Sequence, residues 1–88
     1  MPYNKSLDKV LLELDPVPAL ADVEFRFRVV QYNGGAIKLS ITKTFWHENS
    51  KTFRESTKLG RLDYDQLVLF QLRIDQAAGF IDIQNLET

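Results

Sequence analysis

Cations recur through the middle of this 88-residue chain at spacings that suit a surface for a polyanion. Residues 23–61 carry Arg26, Arg28, Lys38, Lys43, Lys51, Arg54, Lys58 and Arg61 against Glu24, Glu48 and Glu55, a net of +5. The flanks have the opposite sign: residues 1–22 sum to −2 and residues 62–88 to −4. The formal charge of −1 therefore conceals a basic middle held between acidic supports. Tyr32 and Trp46 lie in the same stretch, and rings beside cations suit a ligand that has both charge and planar faces. The plainer reading is that these cations and rings serve solvation and core packing.

Catalysis has little to work with. His47 is the only histidine and there is no cysteine, which leaves no thiol nucleophile and no histidine-rich metal site. Asn33-Gly34-Gly35 lacks the following Lys-Ser/Thr of a phosphate loop. The carboxylates fall where helix capping and solubility account for them. The expectation is a protein that is not an enzyme and uses no cofactor or metal, with His47 as a turn residue.

The elements that must hold the cations read as strands. In residues 23–32, Val23, Phe25, Phe27 and Val29 share one parity while Glu24, Arg26, Arg28 and Val30 share the other, so one face is core and the other carries arginine. Asn33-Gly34-Gly35 suits a tight turn with positive φ into a second strand, residues 36–46, where Ile37, Leu39 and Ile41 alternate with Lys38, Ser40 and Thr42. Polar residues 47–50 then turn the chain into a third strand over residues 51–58, with Thr52, Arg54, Ser56 and Lys58 on one parity and Phe53 opposing them. Gly60 breaks that run. Arg61-Leu62 forms either a short fourth strand or the approach to the next element. Parity separates Lys43 from Trp46, so both meet one ligand only if a bulge near Thr44 intervenes; otherwise Lys43 is an edge residue.

At Asp63 the period changes from two to 3.6. Asp63 with Gln66 has the shape of a capping box, and Asp65 suits the helix dipole, which predicts a helix over residues 64–77 with Gly79 as its stop. Its apolar residues span roughly 200°, more than one sheet surface needs, so the helix wants a second partner. The simplest is the same helix of a second protomer, with Leu67, Phe70 and Ile74 at the interface. The alternating Val68, Phe70, Leu72 and Ile74 allow a competing reading, a hairpin with residues 80–86. Upstream, Ser6 can cap a short helix over residues 7–14, closed by the stiff Asp15-Pro16-Val17-Pro18 connector.

Composition sets the outer limits. With 44% hydrophobic and 26% charged residues the chain is too apolar for disorder, and no run approaches the roughly 20 apolar residues of a membrane span. Residues 1–16 lack the basic start and unbroken apolar run of a secretory signal. The expectation is no membrane partner and a cytoplasmic location, at the nucleoid or, for a phage protein, in the host cell. A chain this short buries only about 60–65% of its unfolded surface, and without disulfides a second chain is the expected source of extra core.

The order of strands followed by a two-sided helix, with Trp46 closing the second strand, carries a resemblance. Residues 32–74 resemble the transcriptional positive-cofactor-four family of single-stranded-DNA-binding proteins, including its bacterial and phage branches. The residues that carry it are Ile41-Thr42-Lys43-Thr44-Phe45-Trp46, then Arg54 and Lys58, Gly60, Leu62 and the acidic-start helix from Asp63 to Ile74. The resemblance covers about half of the chain. It implies a homodimer of curved antiparallel sheets joined through helices, with Tyr32, Lys43, Trp46, Arg54 and Lys58 contacting single strands.

The fold expected is therefore α+β: a curved antiparallel sheet of about four strands and a C-terminal helix. Residues 1–22 form an N-terminal extension, 23–78 the binding domain and 79–88 an apolar tail on which a replication or transcription protein docks. Single-stranded DNA offers a charged backbone and open base faces, and RNA offers the same, so the nucleic-acid set is Arg26, Arg28, Tyr32, Lys38, Lys43, Trp46, Arg54 and Lys58. The function expected is largely sequence-independent single-strand binding in DNA replication, recombination or transcription. The competing class is a small dimeric interaction scaffold without nucleic-acid binding.

Overall fold

The computed structural model describes residues 8–19 and 22–87. It has the order β1 (Asp8–Glu13), β2 (Val17–Pro18), β3 (Val23–Tyr32), β4 (Ile37–His47), β5 (Thr52–Ser56) and α1 (Tyr64–Leu86). The strands form one antiparallel sheet in the order β1-β3-β4-β5, with β2 also paired to β3. The protein is α+β, an open sheet followed by one helix.

Alternation in β3 decides which face is core. Phe25, Phe27 and Val29 are buried, while Glu24, Arg26, Arg28 and Val30 on the other parity are half-buried. Asn33 at φ 48 and Gly34 at φ 72 make a type I′ turn, closed by the Gly35 N–H donating to the Tyr32 carbonyl at 2.8 Å. That turn type matches the strand twist and sets the register, with Phe27 opposite Ile41 and Val29 opposite Leu39.

The N-terminal stretch corrects the expectation of a helix over residues 7–14. Residues 8–13 are a strand on the edge of the sheet, pairing Lys9 with Gln31 and Val10 with Val30. The register then shifts at Leu11, so that Leu12 meets Val29 and Glu13 meets Arg28. A helix of two turns has little stability by itself, whereas the free edge of β3 offers backbone partners to the strand and a core to Leu14 just after it. The Ser6 cap lies outside the described residues. The proline connector is extended as expected, and Val17 is fully buried opposite Phe25.

Helix α1 begins as the sequence indicates. The Gln66 N–H donates to Asp63 Oδ1 at 2.8 Å and the Asp63 N–H to Gln66 Oε1 at 3.0 Å, a complete capping box. Its end is a correction: the helix runs through Gly79 to Leu86, so residues 80–86 are its last two turns rather than a tail, and the competing hairpin does not form. Glycine inside a helix costs only about 1 kcal/mol. Here buried Ala77 and half-buried Phe80 and Ile81 continue the packed stripe on either side of it. Arg61-Leu62 is likewise an irregular approach and not a strand.

The helix docks through few residues. The Phe70 ring meets Phe25 and Phe27 edge-on, with centroids 4.9 and 4.8 Å apart. Such pairs contribute about 0.5–1.5 kcal/mol each beyond their buried area. Arg73 Nε donates to the Asp15 carbonyl at 2.8 Å, tying the helix to the β1–β2 connector. The buried apolar core among the described residues is only Val17, Phe25, Phe27, Val29, Phe70 and Ala77. The rest of the helix is open, with Leu67 53% and Ile74 43% exposed on one flank and Val68, Leu72, Ile83 and Leu86 exposed on the other. The accessible surface is 6635 Å², where a compact monomer of 10.2 kDa exposes about 5,300 Å². No helix among the described residues is long and apolar enough to cross a membrane.

Candidate functional site

Backbone register sorts the cations of the middle block onto two faces. On the face without the helix, β3 presents Glu24, Arg26 and Arg28; opposite them stand Thr44, Thr42 and Ser40 of β4, with Glu55 of β5 beyond Thr44 and Glu13 of β1 beside Arg28. Arg26 Nε lies 2.9 Å from Glu24 Oε1. Arg28 Nη2 lies 2.7 Å from Glu55 Oε1, and its Nε is 3.6 Å from Glu13 Oε1. The hydrogen bond to Glu55 raises the Arg28 pKa above its ordinary value, against a smaller opposing effect of burial. Both arginines are thus held by carboxylates, and Thr42 and Thr44 lie buried among them.

Lys51 is paired with Glu48 at 2.8 Å, whereas Lys43, Arg54 and Lys58 escape this neutralisation. Lys43 stands opposite Phe25 on one side and Ser56 on the other, and Arg54 stands opposite Phe45, which places both on the helix-bearing face near the β4–β5 end. Gly60 has φ +76, and a Cβ added to it would lie 4.0 Å from Lys43 Nζ. Lys43 and Lys58 line a depression of about 470 Å³ floored by Val23 and Phe45. Lys43, Arg54 and Lys58 form no ion pair among the described residues. An anion placed there meets two cations, Lys43 and Lys58, and no carboxylate in the lining, with Arg54 on the same face of the sheet.

The register of β4 on β5 runs without a bulge from Lys43 to His47. Lys43 and Trp46 therefore occupy opposite faces. Trp46 faces Phe53 across the strand pair, rings 5.1 Å apart and edge-on, and both are open at 37% and 58% exposure. Phe53 is a candidate that the sequence reading missed. Its parity match to Trp46 was the available signal, but the loop length that sets their register was not readable in advance. Tyr32 and Lys38 share the face of Trp46 but sit at the far end of the sheet, about 30 Å away at the rise of a strand.

The expected set is thus divided. Arg26, Arg28, Arg54 and Lys58 do not line one groove, because the first two and Arg54 are on different faces. At the proposed interface Leu67 and Ile74 face outward, but Phe70 is 5% exposed and belongs to the chain's own core, because Phe25 and Phe27 already enclose its ring. His47 takes part in its turn, with Nδ1 2.9 Å from Ser50 Oγ. Among the described residues no three His, Asp or Glu side chains converge on a metal position. Comparison with known protein families, curated proteins and solved structures finds no match to this chain.

Proposed function

We propose that this protein is a homodimeric, largely sequence-independent binder of single-stranded DNA, acting in replication, recombination or transcription. The observation that carries the reading is the unneutralised pair Lys43 and Lys58 over an apolar floor, with Arg54 on the same face of the β4–β5 pair whose opposite face exposes Trp46 and Phe53. Backbone phosphates need the first and base faces the second. The resemblance of residues 32–74 to the positive-cofactor-four family supports the same reading. Dimerisation through α1 is favoured by Leu67 and Ile74 and by an accessible surface about 1,300 Å² larger than a compact monomer exposes, a figure on the scale of one partner's share in an obligate dimer.

A scaffold reading is favoured by one observation, the pairing of Arg26 and Arg28 with Glu13, Glu24 and Glu55. A face balanced in this way suits a protein partner better than a polyanion. Titration of labelled single- and double-stranded oligonucleotides at low salt separates the two. Single-strand binding in preference to duplex supports the first reading, and no binding to either leaves the scaffold.

A further inference from the structure

Helix α1 exposes apolar residues on two separate flanks. At about 3.6 residues per turn, Leu67 and Ile74 lie along one, while Val68, Leu72, Ile83 and Leu86 lie along another roughly 120° further round. The second set is open, with Val68 and Leu72 49% exposed and Leu86 85%. Charge distinguishes the two flanks. Beside Leu67 and Ile74 stand the uncharged Gln71 and Ala78, and a surface without charge tolerates a second copy of itself. The other flank is bordered by Asp65, Asp75 and Asp82, all exposed and none in an ion pair among the described residues. The one cation of the helix, Arg73, is tied to the Asp15 carbonyl on the packed side and does not offset them. Two copies meeting through this flank would bring like charges together, which disfavours self-association.

We infer that the flank of Val68, Leu72, Ile83 and Leu86 docks an amphipathic helix of a different protein, one whose apolar face is bordered by lysine or arginine. Apolar anchors give such a contact its affinity, and complementary charge along the borders gives it selectivity. Gly79 lies midway along the flank, between Leu72 and Ile83, and a Cβ built on it meets nothing within 4 Å. It leaves a notch where the partner's backbone or a large side chain can approach closely. The inference does not depend on the single-strand reading, because Lys43, Lys58 and Trp46 all lie outside the helix.

From Val68 to Leu86 the flank runs about 27 Å at about 1.5 Å per residue, so a helical peptide of about 18 residues spans it. The probe is a labelled synthetic peptide of that length with leucine at every third and fourth position and lysine at the bordering ones. Its control carries glutamate in place of lysine. Fluorescence anisotropy on the full chain should show the lysine peptide bound more tightly, by about tenfold or more. Leu72→Gln with Ile83→Gln should weaken that binding by about tenfold or more, because two apolar anchors are lost. Asp75→Asn with Asp82→Asn should narrow the difference between the peptides by about threefold. Gly79→Gln should weaken the lysine peptide yet melt no lower than wild type, since it fills the notch with a better helix former. Leu67→Gln with Ile74→Gln, on the other flank, should leave peptide binding unchanged. Equal affinity for the two peptides, no binding of the lysine peptide, or binding that survives Leu72→Gln with Ile83→Gln overturns the docking surface. So does a wild-type tetramer that those two substitutions return to a dimer, because a second copy then occupies the flank. Oligonucleotide binding by the Leu72→Gln, Ile83→Gln variant should match wild type, so the docking surface and the single-strand reading fail independently.

Discussion

Glu13 and Arg28 stand opposite one another across β1 and β3, with the arginine Nε 3.6 Å from the carboxylate. The acidic N-terminal block thereby reaches into the basic sheet and, with Glu55, holds Arg28 in place. Arg28→Ala should therefore act on stability before it acts on any ligand. A loss of about 1 kcal/mol is expected for a partly exposed pair, which lowers the midpoint of a thermal melt by about 4–8 °C in a domain this small. Since the guanidinium pKa is raised above an already high value, the arginine's own titration removes this contribution only in strong base.

The salt dependence of oligonucleotide binding should follow the unpaired cations and not the paired ones. For single strands the slope of log affinity against log salt changes by about 0.7 per phosphate contact. Lys43→Ala, Arg54→Ala and Lys58→Ala should each flatten the slope by about that amount, with affinity falling for all sequences alike. Arg26→Ala should flatten it less. A slope unmoved by the triple substitution would remove the cluster from the interface.

Trp46 is open enough to lose without loss of fold. Base stacking contributes about 1–3 kcal/mol, so Trp46→Ala should weaken single-strand binding by roughly fivefold or more while the melting temperature holds. Intrinsic fluorescence should change as oligonucleotide is added to wild type, since this is the chain's only tryptophan.

The flank of α1 and its buried stripe make opposite forecasts for one type of substitution. Leu67→Glu with Ile74→Glu places charge on exposed positions and should convert a dimer into a folded monomer at micromolar concentration in sedimentation. Phe70→Glu buries a charge between Phe25 and Phe27 and should unfold the chain. Wild type sedimenting as a monomer at high concentration would defeat the dimer.

Gly79 lies inside the helix, and a Cβ added there meets nothing within 4 Å. Gly79→Ala should therefore stabilise by about 0.5–1 kcal/mol and raise the melting temperature. Destabilisation would instead mark Gly79 as the end of the helix.

What the sequence by itself determined were features coded over a few neighbouring residues. The two parities of β3, the positive-φ turn at Asn33-Gly34 and the Asp63–Gln66 capping box are local chemistry, and each is legible because it involves residues within a turn or a strand of one another. Residues 8–13 lacked such a code: their apolar run fits a short helix as well as a strand, and only the open edge of β3 decided between them. Gly79 misled for the same reason, since a local helix breaker is overridden where Ala77 before it is buried and Phe80 and Ile81 after it are half-buried. The candidate site depended most on tertiary structure. Charge counting placed Arg26, Arg28, Arg54 and Lys58 in one basic block, but which cations remain free follows from the long-range pairings of Arg28 with Glu13 and Glu55 and from the register that turns Lys43 and Trp46 to opposite faces. A single strand's pattern carries neither its neighbour's register nor the identity of the strand beside it.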